Sequence, residues 1–546
     1  MSDKEHAVRQ VRGSSVLLFG RVISLSVNLL LQLLLVRYLT KDAFGSFAFA
    51  WASVEFWVFV ATLGLNKALA RYVPVYQEVG DWERLRRAVL WTLMTVLAMG
   101  LVLIGGVLAS ERWLESHGWV DPLSLRLLRI LVFLAPLDAL GYVFQDLFVA
   151  FEDITAVFVR RYVLAPGLRL AAVVGVMLAG GDAEWMAAGY VAGGVIGLVL
   201  YLWLFRRLWT EKMSPKGGIS AAASTTVGET PGTAEESGPR RETGAGHPSL
   251  TSVPGLRELY RFGVAVLTSQ LGGMFRMTAV VYLLQILRNN EEVGDYRAVL
   301  PFARLNLMVL ENFTVAFVPA VARLLVRRDE SMIGRLVDTS SAWVTALTFP
   351  VFLASCVFSQ SLSRILLGEA YADAWPIMTI LAIGYLCESL LGFAPQVLRA
   401  YAKLRPVLYA DLTALFVNTV LVFLLVPAWG ATGAALSVAI SSIVASIAMM
   451  FAARRVNRSA CRWRTVAVML ASISAVAIPV AALIAFVQPP LAVQILIAIV
   501  TCLAFIGIFR RRLTVDDVFP ELRKIPLVNW LVPRPANVVS PSASEP

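Results

Sequence analysis

From residue 14 onward the chain alternates long apolar runs with short polar breaks. A window of about 19 residues is the natural ruler for such a pattern. It finds fourteen runs, at 14–36, 46–66, 88–110, 126–149, 157–180, 186–208, 260–287, 297–321, 337–360, 375–398, 406–427, 430–453, 465–487 and 489–509. Nearly every run is long enough for a hydrocarbon core of roughly 30 Å, where each backbone N–H and C=O must be satisfied within its own segment. The pattern therefore predicts helices rather than strands, and an all-α integral membrane protein of about 14 transmembrane helices.

Polar residues interrupt the runs at helical spacing. In the first run Arg21, Ser24, Asn28 and Gln32 fall within about 80° of one another at 100° per residue, forming one stripe. Similar stripes are Glu55, Thr62 and Asn66 in the second run, and Asp138, Tyr142 and Gln145 in the fourth. Arg297, Arg304 and Glu311 repeat the pattern in the eighth run, and Asp411 and Asn418 in the eleventh. Arg276 in the seventh run shares a face with Gly272, which leaves room around the guanidinium. Small-residue runs such as "GYVAGGVIG" (189–197) and "GATGAALSVAISS" (430–442) read as close helix packing.

Two segments echo each other. "LVRYLTKDAFGSF" (35–47) lies over "LQILRNNEEVGDY" (284–296) at an offset of 249, pairing Gly45 with Gly294 and Phe47 with Tyr296. "LDALGYVFQDLFVAFED" (137–153) lies over "CESLLGFAPQVLRAYAK" (387–403) at an offset of 250, pairing Asp138 with Glu388. Six helices precede the second copy, so the repeats are parallel, and transporters are commonly built this way. The expected organisation is an N-terminal lobe at 1–210, a flexible Gly/Ser/Pro-rich linker at 211–255, and a C-terminal lobe at 256–455. A helix pair at 456–512, outside the duplication, and a tail at 513–546 complete it.

Charge adds the orientation. Of the 48 Lys and Arg, 36 fall on the side of the N-tail, 8 on the other, and four (Arg21, Arg169, Arg276, Arg304) are left inside the bilayer. Positive charge marks the cytoplasmic side, so both termini are expected there, with the first helix acting as an uncleaved insertion signal. With 58% hydrophobic residues and a net charge of +11, the basic excess reflects topology, and a nucleic-acid partner is not expected. The four cysteines, Cys356, Cys387, Cys461 and Cys502, sit in helices or on the cytoplasmic side, so no disulfide framework is expected. No cofactor or metal is expected, since no Cys or His cluster has ligand spacing.

The intramembrane charges admit two readings. They line a water-accessible cavity, or each is paired as helix glue, Arg304 with Glu311 for instance. Recurrence on several helices favours the cavity. Arg21 and Arg276 have no acid at +3 or +4 on their own helices, so a partner must come from elsewhere, and an anionic ligand would serve. Arg169, just after Pro166 and Gly167, reads as holding a broken fifth helix. Glu55, Asp138, Glu388 and Asp411 are the candidates for H+ or Na+ coupling, because buried carboxylates are the usual carriers in secondary transport.

The opening "RGSSVLLFGRVISLSVNLLLQLLLVRYLTKDAFGSFAFA" (12–50), with "LGLNKALARYV" (63–73) after it, resembles the polysaccharide transporter family. These are the O-antigen and exopolysaccharide flippases, in the superfamily that also holds lipid II flippases and multidrug and toxin extruders. The resemblance runs from about residue 12 to 453, through "GATGAALS" (430–437). It implies a two-lobed bundle in the cytoplasmic membrane that is not an enzyme. Such a bundle moves a polyprenyl-diphosphate-linked oligosaccharide to the outer leaflet by alternating access, for surface polysaccharide biosynthesis. It implies a cationic lumen to which Arg21 and Arg276 contribute, with Asn28 and Arg304 beside them as candidate substrate contacts. It further implies membrane lipids, and a polysaccharide polymerase or ligase complex, as partners. The last two helices match the lipid II flippase layout, where a groove houses the lipid tail, whereas the long linker departs from the compact family pattern. The alternatives are an ion-coupled multidrug extruder or a lipid II flippase. The lumenal arginines argue against the extruder, and the short outer loop "ASERWLESHGWVDPLS" (109–124) against a polymerase or ligase.

Overall fold

The computed structural model describes residues 3–151, 159–213, 255–327, 329–458 and 463–509. Most of the expected linker at 211–255, Cys461 and the expected tail at 513–546 lie outside them. The described residues contain helices and no strand. Helices of eight residues or more are numbered along the chain: α1 (Asp3–Tyr38), α2 (Lys41–Ala61), α3 (Leu65–Val79), α4 (Trp82–His117), α5 (Pro122–Leu131), α6 (Leu134–Ala150), α7 (Ala165–Leu178) and α8 (Ala183–Met213). There follow α9 (Leu256–Leu287), α10 (Asn290–Val326), α11 (Glu330–Phe352), α12 (Trp375–Leu391), α13 (Phe393–Ala400), α14 (Leu404–Val456), α15 (Trp463–Val487) and α16 (Leu491–Phe509).

Among the described residues each of the fourteen expected runs is mostly helical, but ten segments are long and apolar enough to span a membrane, or eleven if the bent pair α5–α6 is one span. Three runs account for the difference. The eleventh and twelfth share the single helix α14, the eighth carries Arg297, Arg304 and Glu311 along α10, and the fifth leaves only a short apolar helix at Tyr162–Leu178.

Local chemistry sets the helix ends. Thr40 Oγ1 accepts the Ala43 N–H at 3.3 Å at the start of α2, and Asn289 Oδ1 accepts the Glu292 N–H at 3.0 Å at the start of α10. These caps satisfy orphan first-turn donors, and they occupy equivalent places in the repeat at the offset of 249. Asp81 and Asp329 cap α4 and α11 through the Arg84 and Met332 N–H groups. Gly64, at φ 67°, ends the run that begins with α2, and Gly430, at φ 53°, breaks α14 where two predicted spans meet.

The chain divides into two compact units: Met1–Leu31, Ala50–Gly118 and Pro122–Gln270 in the first, and Gln32–Phe49, Trp119–Asp121 and Leu271–Pro546 in the second. In the first, α3 packs against α6, burying Leu65, Leu69, Val73 and Tyr76. Asn66 and Lys67 both donate to Asp146 of α6, at 2.8 and 2.9 Å. In the second unit α12 packs against α10 and α14. A Cβ placed on Gly384 would lie 2.7 Å from the Ala439 methyl, which is the close packing expected of the small-residue run after 430. The final pair α15–α16 belongs to this unit, with Phe505 stacked 3.8 Å from Phe349 and 5.0 Å from Phe509.

Candidate functional site

In the first unit a short turn at Val159–Leu164 leads into α7, whose Ala165-Pro166 start suits a helix N-terminus and places Arg169 one turn inside. Arg169 Nη2 donates to Asp138 Oδ2 of α6 at 2.9 Å, and its guanidinium lies 5.0 Å from the Trp51 ring. Trp51 in turn donates its indole N–H to Glu55, one turn along α2, at 2.9 Å. Buried Tyr190 of α8 meets Trp51 edge-on at 5.2 Å. Glu55 lies within electrostatic reach of both Asp138 and Arg169. Asp138 thus pairs directly with Arg169, and Glu55 lies in the same electrostatic neighbourhood. Two carboxylates around one cation form a group that can hold one further positive charge.

On α1, Arg21 is half-buried and Asn28 is exposed. The Asn28 amide donates to the Ser24 carbonyl at 2.8 Å and to its hydroxyl at 3.3 Å. Part of the first polar stripe therefore serves its own helix, and Gln32, in the second unit, donates to the Arg297 carbonyl at 3.2 Å.

The second unit brings together Arg276 of α9, Arg297 and Arg304 of α10, Glu388 of α12 and Asp411 of α14. Glu388 accepts a hydrogen bond from Ser442 and feels Arg276, Arg304 and Asp411, while Asp411 feels Arg276 and Arg399. Tyr296 and Tyr385 face the same three arginines. Among the described residues no carboxylate comes within the 4.0 Å of an ion pair to Arg276 or Arg304. The pairing of Arg304 with Glu311 is not formed; Arg304 Nη1 lies instead 3.8 Å from the Met277 sulfur. Guanidinium donors not consumed by carboxylates, beside tyrosine hydroxyls, suit an anion rich in oxygen acceptors.

Sequence reasoning missed Trp51, Tyr190, Tyr296, Tyr385 and Ser442. Tyr190 lies inside "GYVAGGVIG", where small neighbours masked it, and Tyr385 lies three residues before Glu388, one helical turn away. An aromatic one turn from an intramembrane charge was the readable signal.

Known proteins resemble this chain in sequence and in fold. The probable low-salt glycan biosynthesis flippase Agl15 of Haloferax volcanii is 22% identical over 191 residues, a match that covers 35% of this chain and 40% of that protein. The lipid II flippase MurJ, in an inward closed conformation, shares the fold at a TM-score of 0.62 and 13% identity over 92% of this chain and 99% of that one. An inward-facing multidrug resistance transporter of the MATE family in the MOP superfamily shares it at a TM-score of 0.60 and 14% identity, over 80% and 95%. A family model described as polysaccharide biosynthesis protein matches residues 10–325, more than half of the chain, and the chain belongs to that family.

Proposed function

We propose that the protein is a flippase that moves a polyprenyl-diphosphate-linked oligosaccharide from the cytoplasmic to the outer leaflet of the cytoplasmic membrane, with both termini cytoplasmic. The observation that carries this reading is the pair Arg276 and Arg304, whose guanidinium groups no carboxylate among the described residues closes. Arg276 is half-buried and Arg304 exposed, so both guanidinium groups are open to a ligand, and a diphosphate that enters and leaves would supply the acceptor oxygens they lack. Arg21 and Asn28 are the contacts proposed on α1. The likeness to the Haloferax relative, a probable glycan biosynthesis flippase, supports the cargo class. The family match supports its place in polysaccharide assembly.

In this reading the lobes alternate in access, and cargo drives the change only through unequal affinity for the two states. The Glu55, Asp138 and Arg169 group and the Glu388 and Asp411 pair are proposed to exchange H+ or Na+ during the return. A polymerase or ligase acting on the delivered glycan is the proposed partner. The test is mass spectrometry of polyprenyl-linked sugars in cells depleted of the protein, with a surface-glycan assay beside it. Complete lipid-linked repeat units should accumulate while surface polysaccharide is lost. Unchanged pools and surface, in a strain with no redundant flippase, would overturn the reading in favour of drug export.

A further inference from the structure

The second unit contains a contact that maps onto itself under the duplication. A Cβ on Gly45 would lie 1.8 Å from the Asn290 carbonyl oxygen, and a Cβ on Gly294 would lie 2.8 Å from the Lys41 carbonyl oxygen. The offset of 249 exchanges Gly45 with Gly294 and Lys41 with Asn290, so each half of the contact is the image of the other. Such reciprocity is the mark of a two-fold axis, here a pseudo-axis between the first turns of α2 and α10. Only glycine permits this approach.

Beside the axis the symmetry is broken by charge. Lys41 Nζ and Asp295 Oδ2 form an ion pair at 2.8 Å, with side chains 26% and 18% exposed. The image of that pair is Asn290 and Ser46, both neutral and buried. Lys41 also lies 5.9 Å from the ring centre of Tyr371, on the turn Glu369–Ala374, and Phe44 packs edge-on against that ring. Arg37 adds a second tie by donating to the carbonyls of Ile365 and Leu366. The ion pair is incompletely satisfied: Asp295 Oδ1 and the Tyr371 hydroxyl are buried with no hydrogen-bond partner.

We propose that this crossing of α2 and α10 is an outer gate of the transport cycle, and that the Lys41–Asp295 ion pair is its proton-sensitive latch. The inference rests on the flippase reading and its orientation, which put 37–45 and 288–296 on the outer face. Opening at this point needs the first turns of α2 and α10 to part, and the ion pair beside the reciprocal glycine contact is the tie that a proton can remove. Asp295 precedes the span at 297–321, and burial, working against the lowering effect of Lys41, pushes its carboxyl up to about 6. The other ionisable groups facing it are Glu291 and Glu292 on its own helix and Tyr371 on the neighbouring turn. Glu292 is occupied by the Ala431 N–H at 2.6 Å, and Glu369 of that turn pairs with Arg364. The sign follows: above about pH 6 the carboxylate is charged and the latch holds, and below it protonation leaves Lys41 without its counter-charge.

The test uses the full chain in membranes, with the four native cysteines replaced by Ala and a single reporter, Ser46→Cys, in the contact itself. Reaction with a membrane-impermeant maleimide added outside is measured relative to Ser116→Cys, an exposed reference on the expected outer loop, which cancels the thiol's own pH dependence. Between about pH 7.5 and about pH 5 the relative rate should rise about tenfold, the range over which a group near 6 changes charge. Asp295→Asn should react fast at both values, and the swap Lys41→Asp with Asp295→Lys should restore slow reaction at neutral pH. A pH-independent rate in the parent, or an Asp295→Asn rate as slow as the parent's at neutral pH, would overturn the latch. Because the readout needs no cargo, a working latch together with unchanged glycolipid pools would leave the gate standing and reject the cargo.

Discussion

At the scale of single residues, Arg276 carries the most consequence. It faces Glu388 and Asp411 without an ion pair to either, so reversing its charge puts three carboxylates together. Arg276→Glu is expected to lower lipid-linked glycan transport at least tenfold while the purified protein keeps its melting profile. Arg276→Lys should retain part of the activity, since it keeps charge and loses the fork of donors. Glycolipid accumulation and thermal melting of both variants check this, and an active Arg276→Glu protein would reject the diphosphate site. Arg169 behaves differently because its charge is spent on Asp138 at 2.9 Å. Removing one partner leaves the other uncompensated, at about 3–5 kcal/mol for a fully buried pair, reduced here to roughly 2 kcal/mol because the side chains are 30% and 25% exposed. Asp138→Asn should therefore lower stability more than the double change Asp138→Asn with Arg169→Gln, and denaturation of the three proteins decides it.

At the scale of elements, the chain's periodicity and its capping residues were legible, since both are local. Thr40 and Asn289 can be read directly as N-caps three residues before the N–H they accept, and their common offset follows the repeat. The identity of each charged partner was not legible, because Arg169 with Asp138, or Glu292 with Ala431, depends on which helices meet. Gly430 joins the two cases. The break between the runs at 406–427 and 430–453 put it at a boundary between spans, while its backbone at φ 53° and ψ −133° and the Glu292 carboxylate seated against it came only with tertiary structure. A Cβ there would lie 2.4 Å from Glu292 Oε1. Gly430→Ala is thus expected to cost about 2–3 kcal/mol through backbone strain and displacement of the carboxylate. Glu292→Gln should cost about 1 kcal/mol, because an amide oxygen still accepts the Ala431 N–H. The two effects should not add, since both act on one contact. Chemical denaturation of the single and double variants reads this out, and simple additivity would show that Glu292 is not the group that Gly430 makes room for.

At the scale of the whole chain, the fourteen apolar runs, the parallel repeat and the extra terminal pair follow from hydrophobicity and spacing. The grouping of residues 32–49 with the second unit does not, because a helix's apolar stripe names no partner. The extra pair poses a question of energetics that water-soluble proteins do not face. α15 and α16 cover Ala342, Phe349 and Phe352 of α11 with Met469, Ile473 and Phe505. In water, uncovering that face would cost the full transfer free energy of its apolar area. In a bilayer acyl chains replace the lost side chains, so the cost is limited to packing and to polar contacts. One such polar contact is present: Thr465 donates to Asp338 at 2.9 Å. A chain truncated after residue 458 is therefore expected to insert, purify as a single species and melt only a few degrees below the full protein. Asp338→Asn in the truncated chain should recover part of that loss, because the group that loses the Thr465 hydroxyl no longer carries charge. Size-exclusion profiles and melting curves of the three proteins provide the check. A truncated chain that aggregates would mean that the pair contributes to the fold of the bundle, and that its separation from the duplicated core in sequence does not extend to stability.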